Sequence, residues 1–411
     1  MENNNKFWFF LESHIYVNIK SNAILLYDTF TGKSLYSEFA VAIQLVNKIY
    51  EDKNLGCVEL ERIDLNNPEM RCFVEEVISN GMGKLLDQNE HITKPVILLP
   101  ILSLCLDIDR LKETKNLNIL LGRDISKYLL DVNIVLNTSC QQRCPHCQNY
   151  CKQFFCCSKE DKSMCFTRDS LVNLFGQIKF FPLRTINITG GDIYQYKDLD
   201  VFNNPTGDNK KVFNFYIHYL NYQKNSIIDS QKIHIIINTP VNINKLNEAY
   251  FYTKNKDTKF HLVVENDEQF EELESVMSEL GVEEYEVHPY YNGENLQFFE
   301  ENVYLSKEDI IANTISMREI FRNQKMNANS FGSLYILPNG DIKANMNEKV
   351  LGNIEKDKII DIINEEMMQN TAWRKVRSLE PCNNCLYQYL CPPLSNYERV
   401  INKQNLCHVS Q

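Results

Sequence analysis

From about residue 126 onward, short β-branched runs alternate with stretches of helical period. Residues 130–136, 185–189, 232–238, 259–265 and 284–288 read as strands, and residues 169–180, 243–253 and 267–280 as helices. Residues 213–223 also read as a helix. Strand–helix alternation predicts a parallel sheet with crossover helices, an α/β barrel or part of one. Five strands are evident. A sixth, expected between Ile243 and Lys259, is not visible. Ligands in such folds sit at the carboxyl ends of the strands. Two conspicuous motifs fall there: a cysteine cluster after residue 136, and Gly190-Gly191-Asp192 after residue 189.

The flanks have a different pattern. Residues 6–35 look like short strands, with a turn near Gly32. Two helices are expected over 38–51 and 67–80, with a strand at 57–60 between them. Strands, helix, strand, helix in about 90 residues outline a small winged-helix-like unit. Residues 91–125 form a connector containing an apolar strand at 96–106. Residues 306–411 break the alternation with a hairpin at 333–345 turning at Pro338-Asn339-Gly340-Asp341, a helix at 359–368 and a cysteine-rich end. The expected divisions are therefore 1–90, 91–125, 126–305 and 306–411.

The 411 residues, 44% hydrophobic and 24% charged, have ordinary globular composition. A formal net charge of −11 argues against nucleic acid as a partner. The acidic residues of the second helix (Glu69, Glu75, Glu76) argue the same for the N-terminal unit. Neither the five-residue apolar start, Phe7 to Leu11, nor the run at 96–106 suits a signal peptide or a membrane span, and a cytoplasmic protein is expected. In that reducing setting clustered cysteines are metal ligands or redox groups more often than disulfides. Of the 14 cysteines, seven lie between Cys140 and Cys165 and four between Cys382 and Cys407. Cys57, Cys72 and Cys105 stand apart and read as small buried apolar residues.

Cys140-Gln-Gln-Arg-Cys144-Pro-His-Cys147 places three thiolates in eight residues, soft ligands for iron–sulfur clusters or zinc. The spacing CxxxCxxC at a strand end, followed by Gly190-Gly191-Asp192 at the next, resembles the radical S-adenosylmethionine superfamily. That resemblance implies a [4Fe-4S] cluster on Cys140, Cys144 and Cys147, with one iron open to the methionine part of S-adenosylmethionine. One electron passed to the sulfonium then releases a 5'-deoxyadenosyl radical. It further implies that Gly190, Gly191 and Asp192 receive the methionine amine. Here Asp stands where the family usually has Glu. His146, at a position usually aromatic, would lie near adenine, and Asn238 near the ribose or adenine. Zinc on the same cysteines, with His146 or Cys151, is the alternative. Cys151, Cys156, Cys157 and Cys165 read as space-filling residues, with a further metal or redox role as the alternatives.

Cys382, Cys385, Cys391 and Cys407 supply enough ligands to close a site. This run resembles the SPASM extension of peptide-modifying radical enzymes, whose seven cysteines hold two auxiliary clusters. The four present match the outer auxiliary cluster. Asn345, Ser395 and the cysteine-free stretch Gln324 to Ser330 stand where the inner cluster's ligands would be. One auxiliary [4Fe-4S] cluster is expected, with zinc as the alternative.

Taken together the chain resembles a radical S-adenosylmethionine/SPASM peptide maturase: a partial (β/α)6-type barrel with an N-terminal winged-helix-like unit and a C-terminal cysteine-rich extension. The resemblance implies an oxidoreductase-type enzyme acting on a ribosomally made precursor peptide. The N-terminal unit would bind the peptide's leader by strand addition, and a reductase, flavodoxin or ferredoxin would donate electrons. The stretch Ile188 to Tyr196 suggests the branch serving Gly-Gly leader peptides. Alternatives are a sulfatase-maturase-like protein oxidase, a small-molecule radical enzyme, or a non-catalytic peptide-binding partner.

Overall fold

A computed structural model of the protein describes residues 6–20, 22–102, 125–159, 163–203 and 213–409. The chain begins with β1 (Lys6–Leu11), β2 (Ile15–Lys20), β3 (Ala23–Asp28) and β4 (Ser34–Ser37). A helix (Ala40–Ile49), β5 (Cys57–Glu61), a second helix (Pro68–Ser79) and β6 (Gly83–Asp87) follow. The strands form two three-stranded antiparallel sheets, β5-β1-β6 and β2-β3-β4. Asn67 starts the second helix by accepting from the backbone N–H groups of Glu69 and Met70, and Pro68 sits where a missing N–H costs nothing. Phe9, Leu26, Val46, Phe73 and Val77 meet in the core of this unit.

Six parallel strands follow: β7 (Asp131–Val135), β8 (Thr185–Thr189), β9 (Phe213–His218), β10 (Lys232–Asn238), β11 (Thr258–Val264) and β12 (Tyr285–Pro289). They pair in sequence order, each beside the last, as a partial barrel requires. β13 (Ser333–Ile336) then pairs parallel to β7 on its other side. β14 (Asp341–Lys343) and β15 (Gly352–Asn353) continue antiparallel and complete a nine-stranded sheet. The C-terminal extension is thereby stitched into the barrel sheet.

The sixth strand is β9, so the expectation of a helix at 213–223 and of a strand between Ile243 and Lys259 is corrected. Phe213, Phe215 and Ile217 point to one face and are buried there, the period-two signature of a strand. Only Tyr219–Asn221 makes a short 3-10 turn. Ile243–Thr253 is helical as expected. In the connector, residues 96–102 are not in a strand, because their backbone joins no sheet beyond the bond from Ile97 N–H to Leu55 O, 2.9 Å. The rest of that expected strand, and Cys105, lie outside the described residues. Cys72 is corrected too: it is partly exposed on its helix, beside Glu76.

The two faces of the barrel sheet differ in chemistry. Val132, Ile134, Ile186, Ile188, Phe215, Ile235 and Leu262 pack against Leu171, Leu174, Leu246 and Met277 of the covering helices. The alternate residues carry polar ladders. Asn133, Asn187 and Asn214 are aligned across β7, β8 and β9; Asn214 donates to Asn187 and Asn187 to Asn133, each at 2.8 Å. His234, His261 and His288 form a second ladder across β10, β11 and β12. Buried polar groups are tolerated when bonded, and here they line the inner face beneath the cysteine loop. Among the described residues no helix is long and apolar enough to cross a membrane.

Candidate functional site

The cysteine loop leaves the end of β7 and is pinned to the Gly190-Gly191 turn at the end of β8. Gly191 N–H donates to Asn137 O at 2.9 Å and Asp192 N–H to Ser139 O at 2.6 Å. The Asn137 side chain accepts from Gly191 N–H at 3.0 Å and donates to Asp192 O at 2.9 Å. A Cβ on Gly191 would lie 2.3 Å from Ser139 O, and one on Gly190 would lie 2.9 Å from Asn137 Oδ1. These glycines therefore admit the loop segment Asn137–Ser139 that leads into Cys140.

Two side chains that sequence reasoning missed reach the cysteines. Asn221 donates to Cys140 Sγ at 3.3 Å and to Gly191 O at 3.3 Å. His218, the last residue of β9, has Nε2 at 3.6 Å from Cys144 Sγ and 2.8 Å from Asn238 Oδ1. Its Nδ1 accepts from Leu220 N–H at 3.3 Å, so the proton of the neutral ring sits on Nε2, facing Cys144 and Asn238. Burial pushes His218 down to about 4 and keeps that ring neutral. Asn238, at the end of β10, is buried and also donates to Tyr150 Oη at 3.4 Å.

Cys144 and Cys147 are held protonated until something displaces the proton. Burial pushes Cys144 up to about 12, and a hydrogen bond shared with Cys157 raises Cys147. Metal binding removes such protons outright. Cys156 and Cys157 are fully enclosed, their sulfurs 3.7 Å apart, whereas Cys151 is partly exposed and Cys165 exposed. Lys159 donates to Gln142 O at 3.1 Å and closes the far side of the loop.

The remaining expected positions are placed as follows. Asp192 caps the next turn, accepting from Tyr194 N–H and from Gln195 Nε2, both at 3.1 Å. A carboxylate offers about four acceptor sites, so this leaves room for an incoming donor. His146 adopts a left-handed backbone (φ 55°) and stands 3.9 Å from Glu265 Oε2, with its ring 5.3 Å from that of Tyr290.

In the C-terminal extension Cys382, Cys385, Cys391 and Cys407 all line one small cavity, with Arg377 and Asn405. Burial pushes Cys391 up to about 12 and raises Cys382 and Cys385. Arg377 has Nη1 at 3.9 Å from Cys382 Sγ and makes a buried ion pair with Glu398 at 2.7 Å. The positions where the resembled extension would hold a second auxiliary cluster also come together. Asn329, Ser330, Asn345, Ser395 and Asn396 line a separate polar cavity of 160 Å³. Asn345 donates to Asn396 Oδ1 at 2.7 Å, and Ser395 caps the helix Asn396–Ile401. Amides and a hydroxyl, each hydrogen-bonded, stand where thiolates would be needed.

Among the described residues, no three sulfurs of either cysteine set lie within 4.8 Å of one another. Tetrahedral zinc, with Zn–S of about 2.3 Å, needs sulfurs about 3.8 Å apart. Four thiolates are a donor set that either zinc or an iron–sulfur cluster accepts.

Residues 328–386 match the model of SPASM, an iron-sulfur cluster-binding domain. The match takes in Cys382 and Cys385 and stops short of Cys391 and Cys407. No curated protein matches the sequence. Among solved structures, SuiB of Streptococcus suis bound to the precursor peptide SuiA is 13% identical, with 98% of this chain and 99% of that one covered and a TM-score of 0.48. The same protein bound to S-adenosylmethionine gives 13% and 0.47 over the same shares. Native anSMEcpe with bound AdoMet is 12% identical, covers 67% of this chain and 96% of that chain, and gives 0.46. Likeness at this level leaves the functional reading to the residues themselves.

Proposed function

We propose that the chain is a radical S-adenosylmethionine enzyme that modifies a ribosomally made precursor peptide. One observation carries the reading: Cys140, Cys144 and Cys147 extend from the end of a barrel strand on a loop that the Gly190-Gly191 turn of the next strand holds from below. In this reading Cys140, Cys144 and Cys147 hold a [4Fe-4S] cluster, which supplies reductive cleavage of S-adenosylmethionine when bound. Asn221 and His218 orient Cys140 and Cys144 through N–H···S contacts. Gly190, Gly191 and Asp192 receive the methionine end of the cofactor, and His146 and Asn238 lie toward its nucleoside end. The barrel spans 126–305, after a connector at 91–125.

Cys382, Cys385, Cys391 and Cys407 of the extension, 306–411, hold one auxiliary [4Fe-4S] cluster. The shared cavity supports one four-cysteine site, and the SPASM match supports iron–sulfur over zinc there. The polar filling of the neighbouring cavity supports a count of one.

The N-terminal unit, 1–90, recognises the peptide's leader. β4 pairs only with β3 among the described strands, so it offers an edge for strand addition. Beside it runs a groove of about 670 Å³ lined by Tyr36, Glu38, Lys20 and Tyr387. A cytoplasmic flavodoxin, ferredoxin or reductase would supply electrons, and the leader class is that of Gly-Gly peptides.

Anaerobic incubation of reconstituted protein with dithionite and S-adenosylmethionine tests the reading. It should release 5'-deoxyadenosine, and Cys144→Ala should abolish that release. No release by the wild type, even with its peptide, favours a non-catalytic peptide-binding protein. Iron near eight per chain, at four per cube, supports two clusters, whereas about four irons with one zinc rejects the auxiliary cluster.

A further inference from the structure

His261 of β11 and Glu286 and His288 of β12 gather three ligand atoms at the open edge of the barrel. His261 Nδ1 is 2.8 Å from His288 Nε2 and 3.3 Å from Glu286 Oε2, and His288 Nε2 is 3.9 Å from the same oxygen. They form the only group of three such ligands within 4.8 Å among the described residues. A metal bound at about 2.1 Å needs neighbouring ligand atoms about 3.0–3.4 Å apart, in octahedral or tetrahedral geometry. The three separations bracket that range, so small side-chain adjustments bring all three atoms onto one ion.

The surroundings fit a ligand set. The Glu286 carboxylate is divided: Lys259 Nζ holds Oε1 at 3.3 Å, and Oε2 is left for the histidines. Behind His261, its Nε2 meets His234 Nδ1 at 2.7 Å. A ligating histidine usually donates its other N–H in this way, which fixes the tautomer and ring orientation. With His261 binding through Nδ1, its Nε2–H donates to His234. His234 itself is buried, stacked on Tyr216 at 4.2 Å, and its Nε2 has no hydrogen-bond partner. Phe154 stacks on His288 at 4.9 Å and stiffens the other ligand. The register between β11 and β12 places His261 opposite Glu286, so the site is built into sheet pairing.

We propose that His261, Glu286 and His288 form a binding site for a divalent transition-metal ion of the zinc or iron(II) class, oriented by His234 and distinct from both cysteine sets. Two imidazoles and one carboxylate suit such ions rather than calcium or magnesium. Three protein ligands leave positions open, and Glu286, half exposed on the edge strand, sets the site where solvent or a peptide group can reach it.

Cobalt(II) titration of the full-length protein under anaerobic conditions tests this, because the spectrum reports the ligand type. Cobalt on nitrogen and oxygen gives weak visible d–d bands, whereas cobalt on cysteine adds intense ultraviolet thiolate charge transfer. We expect one equivalent of nitrogen/oxygen-type cobalt, retained when Cys382 and Cys407 are both replaced by Ser. Glu286→Gln, isosteric and at an exposed edge, and His288→Ala should each weaken it by at least about 100-fold, and His234→Ala by about 10- to 100-fold with the stoichiometry unchanged. Unaltered thermal unfolding of Glu286→Gln separates loss of a ligand from loss of the fold. Wild-type protein that takes up only thiolate-type cobalt overturns the proposal, as does a Glu286→Gln variant that binds as tightly as wild type. Neither result bears on cleavage of S-adenosylmethionine.

Discussion

His218 directs its Nε2–H at Cys144 from the neighbouring strand end, 3.6 Å from the sulfur, while Asn238 accepts from the same nitrogen. Hydrogen bonds to cluster sulfurs favour the reduced, more negative state and raise the potential. If the proposed cluster sits on Cys140, Cys144 and Cys147, His218→Phe should therefore make it harder to reduce. A loss of about 1.4 kcal/mol in differential stabilisation corresponds to about 59 mV for one electron. Redox titration followed by electron paramagnetic resonance reads the shift. A potential unmoved by the substitution would mean that the contact is packing alone. Iron content should stay at the wild-type level, since His218 is a positioning residue and not a ligand.

Gly191→Ala tests the glycine turn as the seat of the cysteine loop. Its Cβ would fall 2.3 Å from Ser139 O, so the loop must lift. Overpacking of this kind costs about 1–3 kcal/mol. Reconstituted protein should lose the iron of the first site and keep that of the second. Equal loss from both sites, or from neither, contradicts a local role.

Glu366 is the scaffold's most committed carboxylate. Fully buried, it accepts from the backbone N–H groups of Thr371 at 3.0 Å and of Ala372 and Trp373 at 2.8 Å, and also from the Thr371 hydroxyl. Trp373 in turn donates to Ser333 O at 2.9 Å and packs under β13. Glu366→Ala strands three buried backbone N–H groups and a hydroxyl, each worth about 1–3 kcal/mol when unsatisfied. Denaturant unfolding should show a loss of at least about 3 kcal/mol, and a loss under about 1 kcal/mol would indicate that the donors find other partners.

Ser316 and Glu319 cap the helix Met317–Lys325 reciprocally, and Asn323 on that helix donates to Tyr389 O at 3.1 Å and Cys391 O at 3.3 Å. Ser316→Ala should cost about 1 kcal/mol at neutral pH. The Ser316 N–H and hydroxyl hold the Glu319 carboxyl below its ordinary value. A depressed carboxylate contributes stability above its unfolded pKa and loses it as pH falls through the folded one. The gap in Tm between wild type and Ser316→Ala should narrow from pH 7 to pH 3. A gap that is constant or widens in acid rules out the carboxylate half of the cap.

How far the sequence could be read depended on the range of the interactions. β10 was legible to the residue because the run Ile233 to Ile237 is buried on both faces of a parallel sheet, and β8 because Ile186 and Ile188 alternate with polar residues up to the Gly190-Gly191 turn. β9 was not, because Phe213-Asn-Phe-Tyr-Ile-His runs on into Tyr219-Leu-Asn-Tyr and the joined stretch has a passable helical period. The alternation of Phe213, Phe215 and Ile217 was the available signal. Missing that strand also hid His218, whose meaning comes from standing at a strand end beside Cys144 and Asn238. The three-histidine ladder is invisible in one dimension, since each member is an isolated residue and only the sheet, stepping by two residues from strand to strand, brings them into contact. The grouping of Asn345 with Ser395 and Asn396 belongs to the same class. The resemblance to the SPASM pattern pointed to Asn345 and Ser395, and the structure sets them beside Asn396 in one cavity.

The pairing of β13 with β7 also sets an order of events during biosynthesis. β7 lies between β8 and β13, yet residue 333 follows residue 131 by half the chain. While the polypeptide emerges, β7 and the cysteine loop that follows it have a bare flank until Ser333–Ile336 has left the ribosome, and such long-range closures are slow. The loop is therefore seated on a finished scaffold only after Ser333–Ile336 has paired with β7, and in the proposed reading metal delivery follows that pairing.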